Sequence, residues 1–174
     1  PSEKNHLKFG GAFTNHVFKP YIVSTIGDYS EFTELIEPSE EESLSTQEMA
    51  LYTHSKYAIS SLLKIKFGAR ISGALAPQKF YIGFEPRISV RYMLSNTDAV
   101  KTSYSRMNQY MHRVSSSAVT LPSDLWYPIT TQIKPQKSDQ IALGYSHLFN
   151  KAKTLFELEA YYKWMDNLIE YKEG

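Results

Sequence analysis

The sequence predicts an all-β protein, an antiparallel up-and-down transmembrane β-barrel of which about seven strands are present. Three observations carry that expectation. Runs of about 12 to 16 residues alternate apolar with polar side chains, the period of a strand with two unlike faces. Every second connection between those runs is short, so tight turns gather at one end of a meander and extended loops at the other, the asymmetry of outer-membrane barrels. Tyrosine is abundant, 13 residues in a chain that is 14% aromatic, which suits strands and also the girdles where a barrel crosses a membrane interface.

The elements follow in order. Leu7, Phe9, Gly11 and Phe13 alternate with Lys8, Gly10, Ala12 and Thr14, giving a first strand over residues 6–18 that Pro20 ends. Residues 19–47 form a long connection around the acidic, serine-rich stretch EPSEEESLSTQ, read as a solvated loop because its carboxylates lack calcium-ligand spacing. A second strand with imperfect alternation covers 48–59, and Ser60-Ser61 leads to a cleaner third one. There Leu63, Ile65, Phe67, Ala69, Ile71 and Leu75 oppose Lys64, Lys66, Gly68, Arg70, Ser72 and Ala74. Pro77 and Gly83 mark a link over 76–83.

The stretch from Phe84 to Met107 reads as a hairpin. Ile88, Val90, Tyr92 and Leu94 alternate with Arg87, Ser89, Arg91 and Met93, the turn is Ser95-Asn96-Thr97-Asp98, and Val100, Thr102 and Tyr104 continue the apolar face. Its second run is expected to extend to about Val114. Residues 115–137 form another long connection, whose three prolines exclude a central strand. Asp139–Phe149 is a strand with Ile141, Leu143, Tyr145 and Phe149 on one face. After a turn at 150–153, the last strand, about 154–170, sets Phe156, Leu158, Ala160, Tyr162 and Trp164 against Glu157, Glu159, Tyr161 and Lys163.

Composition narrows the function classes. With 174 residues the chain makes one domain, and its net charge of +1 gives no electrostatic case for nucleic acid. The absence of cysteine removes disulfides and thiolate metal sites. No apolar run approaches the roughly 18 residues of a spanning helix, which leaves a spanning barrel open because its strands are only half apolar. The five histidines, His6, His16, His54, His112 and His147, lack metal-ligand spacing, and no nucleophile elbow or phosphate loop occurs. No catalytic residue, metal or cofactor is expected.

Three segments resemble one family, the TonB-dependent outer-membrane receptors, in particular those of Bacteroidetes-type bacteria. Gly68-Ala69-Arg70-Ile71-Ser72, preceded by the stretch Leu51 to Ser60, is similar to a Gly-x-Arg-x-Ser barrel strand and its hairpin. Phe84-Glu85-Pro86-Arg87-Ile88-Ser89, followed by Lys101-Thr102-Ser103-Tyr104-Ser105, is similar to the family's Glu-Pro-Arg-x-Ser strand. Lys134-Pro135-Gln136-Lys137-Ser138-Asp139, then Leu143-Gly144-Tyr145, resembles a proline-then-ELGY strand, and Leu7-Lys8-Phe9-Gly10-Gly11 also fits.

The resemblance implies a barrel of about 22 strands with a plug domain inside, of which this chain would be roughly a third. It contains no plug, no TonB box and no terminal aromatic, so an internal segment of the barrel is expected. The implied activity is import of a scarce nutrient (siderophore, glycan, peptide or vitamin) driven through TonB, without covalent chemistry. Implied partners are outer-membrane lipid, TonB through the plug domain, and a surface substrate-binding lipoprotein.

With apolar faces toward lipid, Lys64, Lys66, Arg70, Arg87, Arg91, Glu157, Glu159 and Lys163 would line the lumen, facing plug or substrate. Tyr110, His112, Trp126 and Tyr127 are candidates for ligand contact in external loops. A complete small barrel with a structural or adhesion role, and a soluble β-barrel binding an apolar ligand, are the competing expectations from the residues alone.

Overall fold

A computed structural model describes residues 5–18, 44–114, 125–149 and 153–169. Seven long strands form one antiparallel sheet: β1 (Asn5–Phe18), β2 (Leu44–Ala58), β3 (Leu63–Ala76), β4 (Lys79–Met93), β5 (Asp98–Gln109), β8 (Gln136–Phe149) and β9 (Thr154–Asp166). Their order in the sheet is their order along the chain, a meander with β1 and β9 as open edges. Between β5 and β8 the chain leaves the sheet to form a separate two-stranded hairpin, β6 (Met111–Val114) with β7 (Leu125–Pro128). The acidic stretch within 19–43 and the serine run at 115–117 lie outside the described residues.

The register fixes the two faces. Phe67 lies opposite Ile88, Ile88 opposite Tyr104, Tyr104 opposite Ile141 and Ile141 opposite Tyr162, one apolar row across five strands. One residue away, Lys66 faces Ser89 and Lys64 faces Arg91, which in turn faces Lys101. Since successive side chains point to opposite faces, a single-residue slip would exchange the two sets.

The structure departs from the sequence reading at several points, among them β8, which starts at Gln136 ahead of the expected Asp139, and β9, which stops at Asp166 short of the expected 170. The link expected at 76–83 is a two-residue turn, Pro77–Gln78, because β3 and β4 pair from Ala76↔Lys79 onward. Phe80 and Ile82 therefore belong to the apolar face, and the loop end of the sheet carries one tight hairpin. β2 begins at Leu44, earlier than 48. The second run of the 84–107 hairpin stops at Gln109, and 111–114 joins the separate hairpin. Finally, the connection 115–137 holds a short strand, β7, with Pro128 at its end; it stays out of the seven-stranded sheet, as its prolines require.

Pro86 interrupts the wall. β4 pairs with β3 along its whole length, but its ladder to β5 runs only from Met93↔Ala99 to Arg87↔Ser105. Proline has no N–H to donate, and the β4–β5 ladder ends at its neighbour. Beyond that point the Asn108 and Tyr110 side chains lie against β4 at Gly83. Gly83 makes room for them: a Cβ there would lie 2.4 Å from Asn108 Nδ2 and 2.8 Å from Tyr110 Oη.

The turn from β4 to β5 is held by its own side chains. Ser95 Oγ accepts the Thr97 and Asp98 N–H groups, both at 3.0 Å, and Leu94 N–H donates to the Asp98 carbonyl at 2.9 Å. This is why the polar run Ser95–Asp98 closes a hairpin.

Two strand glycines give contrasting predictions. A Cβ on Gly68 would sit 2.7 Å from the Thr53 carbonyl oxygen, a backbone atom of the paired strand, whereas on Gly10 it would meet the Tyr52 ring, which can swing away. Gly68→Ala is therefore expected to destabilise the folded barrel by about 1–3 kcal/mol and Gly10→Ala by less. Unfolding in urea, followed by heat-modifiable migration on a gel, checks the order.

Candidate functional site: two faces of the wall and an inward loop

The face containing Leu7, Phe9, Phe13, Leu51, Ile71, Phe84, Ile88, Leu143 and Leu158 is solvent-exposed on six of the seven strands, and on β5 between them Val100 and Tyr104 are half-buried. A soluble sheet would bury such a face; here it is left largely bare from edge to edge, far beyond the few hundred Å² of apolar patch typical of monomeric soluble proteins. Aromatic side chains associate on it, with Tyr57 stacked on Phe67 (centroids 5.4 Å apart) and Tyr162 tilted against Trp164 (5.7 Å).

Charged groups on that face occur only near its two ends among the described residues. At the turn end Asp98 accepts hydrogen bonds from Tyr145 Oη (2.5 Å), Ser95 Oγ (2.5 Å) and His147 Nδ1 (2.7 Å). At the loop end Asp139 accepts from Tyr104 Oη (2.6 Å), Arg106 Nε (2.8 Å) and Arg106 Nη2 (3.2 Å). Along β8 the interval from Asp139 to His147 is about 26 Å at the usual strand rise, and roughly 20 Å of height at a barrel's tilt. That is close to the apolar band of an outer-membrane barrel, about 25 Å tall. Paired charge, apolar belt and paired charge succeed one another along the same face.

The opposite face is polar. Lys64, Lys66, Arg70, Arg87, Arg91, Glu157, Glu159 and Lys163 all fall on it by register. Lys101, on the same face, bonds Glu157 at 3.1 Å. The centre of this face is an acid that the sequence reading did not single out. Glu85 is 2% exposed and sits between Arg70 (4.0 Å) and Arg87 (3.5 Å), while Ser72 Oγ donates to it at 2.7 Å. A buried carboxylate requires such company. The signal was present in the Glu-Pro-Arg triplet, a lone acid beside Pro86 among basic polar-face positions.

Tyr110 joins this network, its hydroxyl 2.8 Å from Ser72 Oγ and donating to the Ser72 carbonyl at 3.2 Å. Its ring packs with Ala74, Ala76 and Ile129, against which Tyr81 also lies. Ile129 N–H donates to the Tyr110 carbonyl, and Tyr81 Oη to the Thr130 carbonyl. The described parts of the segment between β5 and β8, around Tyr110 and Ile129, are thus folded onto the polar face of β3 and β4, where small residues make room for them.

This placement divides the three loop aromatics and one imidazole expected to meet a ligand. Tyr110 and His112 are buried, at 3% and 2% exposure, and hold the inward segment in place; Trp126 is exposed and Tyr127 half-buried on β7. The contacts that bury Tyr110 reach 38 residues back along the chain, a separation that no local pattern reveals.

Bare apolar belt, polar face opposite and meander topology together define a wall segment of an outer-membrane-type β-barrel. A family model agrees: residues 4–174 match the TonB dependent receptor-like β-barrel. The chain belongs to that family, which places it in the bacterial outer membrane and gives it a role in TonB-dependent transport, with TonB and outer-membrane lipid as partners. No curated protein matches the chain.

His112 gives the inward segment a pH dependence. Its Nε2–H donates to the Lys134 carbonyl at 3.1 Å, and burial lowers its pKa below the ordinary 6.5 despite that bond. As pH falls below that value, the unfolded or detached segment takes up a proton first, so the docked state is fully favoured above it and weakens below it. Amide exchange of Ile129, measured at pH 7.5 and 5.5 and corrected for the intrinsic rate, should show lower protection at the acidic value. In His112→Asn the two corrected values should coincide.

Proposed function

We propose that these residues form part of the wall and external loops of an active importer that takes up a scarce nutrient, a siderophore, glycan, peptide or vitamin, without covalent chemistry of its own. The carrying observation is the apolar face running across the sheet, bare on six of its seven strands, with its charges among the described residues confined to two ends. That face opposes the soluble-barrel alternative, in which apolar side chains turn inward onto a ligand. The open edges at β1 and β9 favour a segment of a larger barrel over a closed barrel of about eight strands.

In this reading Lys64, Lys66, Arg70, Arg87, Arg91, Glu157, Glu159 and Lys163 line a hydrated lumen. The turn at Leu94–Thr97 lies on the periplasmic side, because short turns belong there in outer-membrane barrels. The described parts of the inward segment, 110–114 and 125–134, then lie toward the cell exterior and narrow the lumen from above. Trp126, exposed on β7, and Tyr127 beside it are the loop residues best placed to touch an arriving solute. A plug domain outside these residues would transmit energy from TonB, and a surface lipoprotein would deliver substrate at the loop end.

Two measurements test the proposal. Leu143, midway between the end clusters on the apolar face, is replaced by Lys; Gln140, on the polar face of the same strand, is replaced likewise. Leu143→Lys should destabilise the membrane-embedded barrel by about 2–4 kcal/mol and Gln140→Lys by little. Equal effects would exclude lipid as the solvent of the apolar face. In cells, growth on the limiting nutrient should require both this protein and TonB; growth independent of TonB would overturn the transport reading.

A further inference from the structure

The polar face holds a cup built over a missing side chain. Gly68 forms its floor between β2 and β4, and Tyr52, His54, Arg70 and Arg87 stand around it, leaving a cavity of about 260 Å³. The floor is fixed, since a Cβ on Gly68 would lie 2.7 Å from the Thr53 carbonyl oxygen.

The charges around the cup do not balance. Among the described residues Arg70 and Arg87 have one neighbouring carboxylate, Glu85, and neither holds it well: the nearest approaches are 4.0 Å and 3.5 Å. The short bond to Glu85 comes from Ser72, at 2.7 Å. Arg70 Nε is buried and has no hydrogen-bond partner among the described residues. Each guanidinium carries five N–H donors in a planar fork matched to the oxygens of carboxylate or phosphate. A buried donor without a partner is destabilising unless an acceptor comes to it.

We propose that the Gly68 cup is a binding site for an oxoanion, a phosphate or carboxylate group of a solute in the lumen, gripped by Arg70 and Arg87. The His54 ring, beside Gly68 on the paired strand, supplies a further polar contact at the rim. The site rests on the reading of the polar face as lumenal. It gives that lumen a fixed station for negative charge below the inward segment.

The test uses the full-length receptor, purified from outer membranes in detergent. Inorganic phosphate and citrate are each titrated by calorimetry at ionic strength held constant with chloride. Saturable binding of either anion is expected, phosphate preference pointing to phosphorylated solutes and citrate preference to polycarboxylates. Arg87→Gln and Arg70→Gln should each weaken binding about tenfold to a hundredfold. Lys101→Gln, which removes the same charge from the same face, should change it less than about threefold, the scale of a screened exposed charge.

Binding of neither anion overturns the proposal, and so does an equal loss in all three variants, which would mean a diffuse field instead of a site. If the Gln variants do not assemble, Arg87→Lys and Arg70→Lys keep the charge and lose the fork; unchanged affinity there also overturns it. Failure of the barrel reading would show separately, as a parent protein that is neither heat-modifiable nor found in the outer membrane.

Discussion

The unbroken antiparallel register is the constraint on which everything else depends. In hydrocarbon no water is present to satisfy a backbone N–H or carbonyl, so a spanning strand must bond its neighbours along its length. The ladder between β3 and β4 does so from Leu63↔Tyr92 to Ala76↔Lys79. Because side chains alternate strictly, the same ladder decides which residues meet lipid. Leu63, Ile65, Phe67 and Ile71 go to one side, Lys64, Lys66 and Arg70 to the other. Backbone satisfaction and side-chain segregation are one geometric fact.

Pro86 is the local exception, and its consequences spread furthest. Where the β4–β5 ladder stops, Gly83 leaves space, Asn108 and Tyr110 enter it, and Tyr110 reaches Ser72. Ser72 in turn holds Glu85, the carboxylate nearest to both Arg70 and Arg87. A missing backbone donor is thus linked to the docking of the inward segment and to the electrostatics of the polar face. His112 fastens the same segment through Lys134, so its protonation bears on how firmly the segment is seated.

Legibility in the sequence varied with the range of the interaction. Clean alternation at 63–75, 84–94, 139–149 and 154–164 was readable, since each strand's own period of two records it. Gly83 and Pro77 misled, because turn formers inside a strand look like a loop when the partner that needs the space is out of view. KFYIG, residues 79–83, keeps the alternation in Phe80 and Ile82 and belongs to β4. The cup is not legible for a related reason: alternation puts Arg70 and Arg87 each on the polar face, yet their convergence over Gly68 depends on pairing Gly68 with Arg87 across two strands. The family resemblance came from short segments whose order along the chain carried the information.

By itself, then, the sequence determined the all-β meander, the segregation of charge from apolar residues, and membership in a family of outer-membrane receptors. Those properties are written in periodicity and local motif, which survive without knowledge of what touches what. Only the tertiary structure decided that Tyr110 and His112 are buried anchors, that Glu85 lies at the centre of the polar face, and that a glycine-floored cup lies between two arginines. Each of these depends on residues brought together from separate strands or from across a long connection, and burial is a property of that assembly.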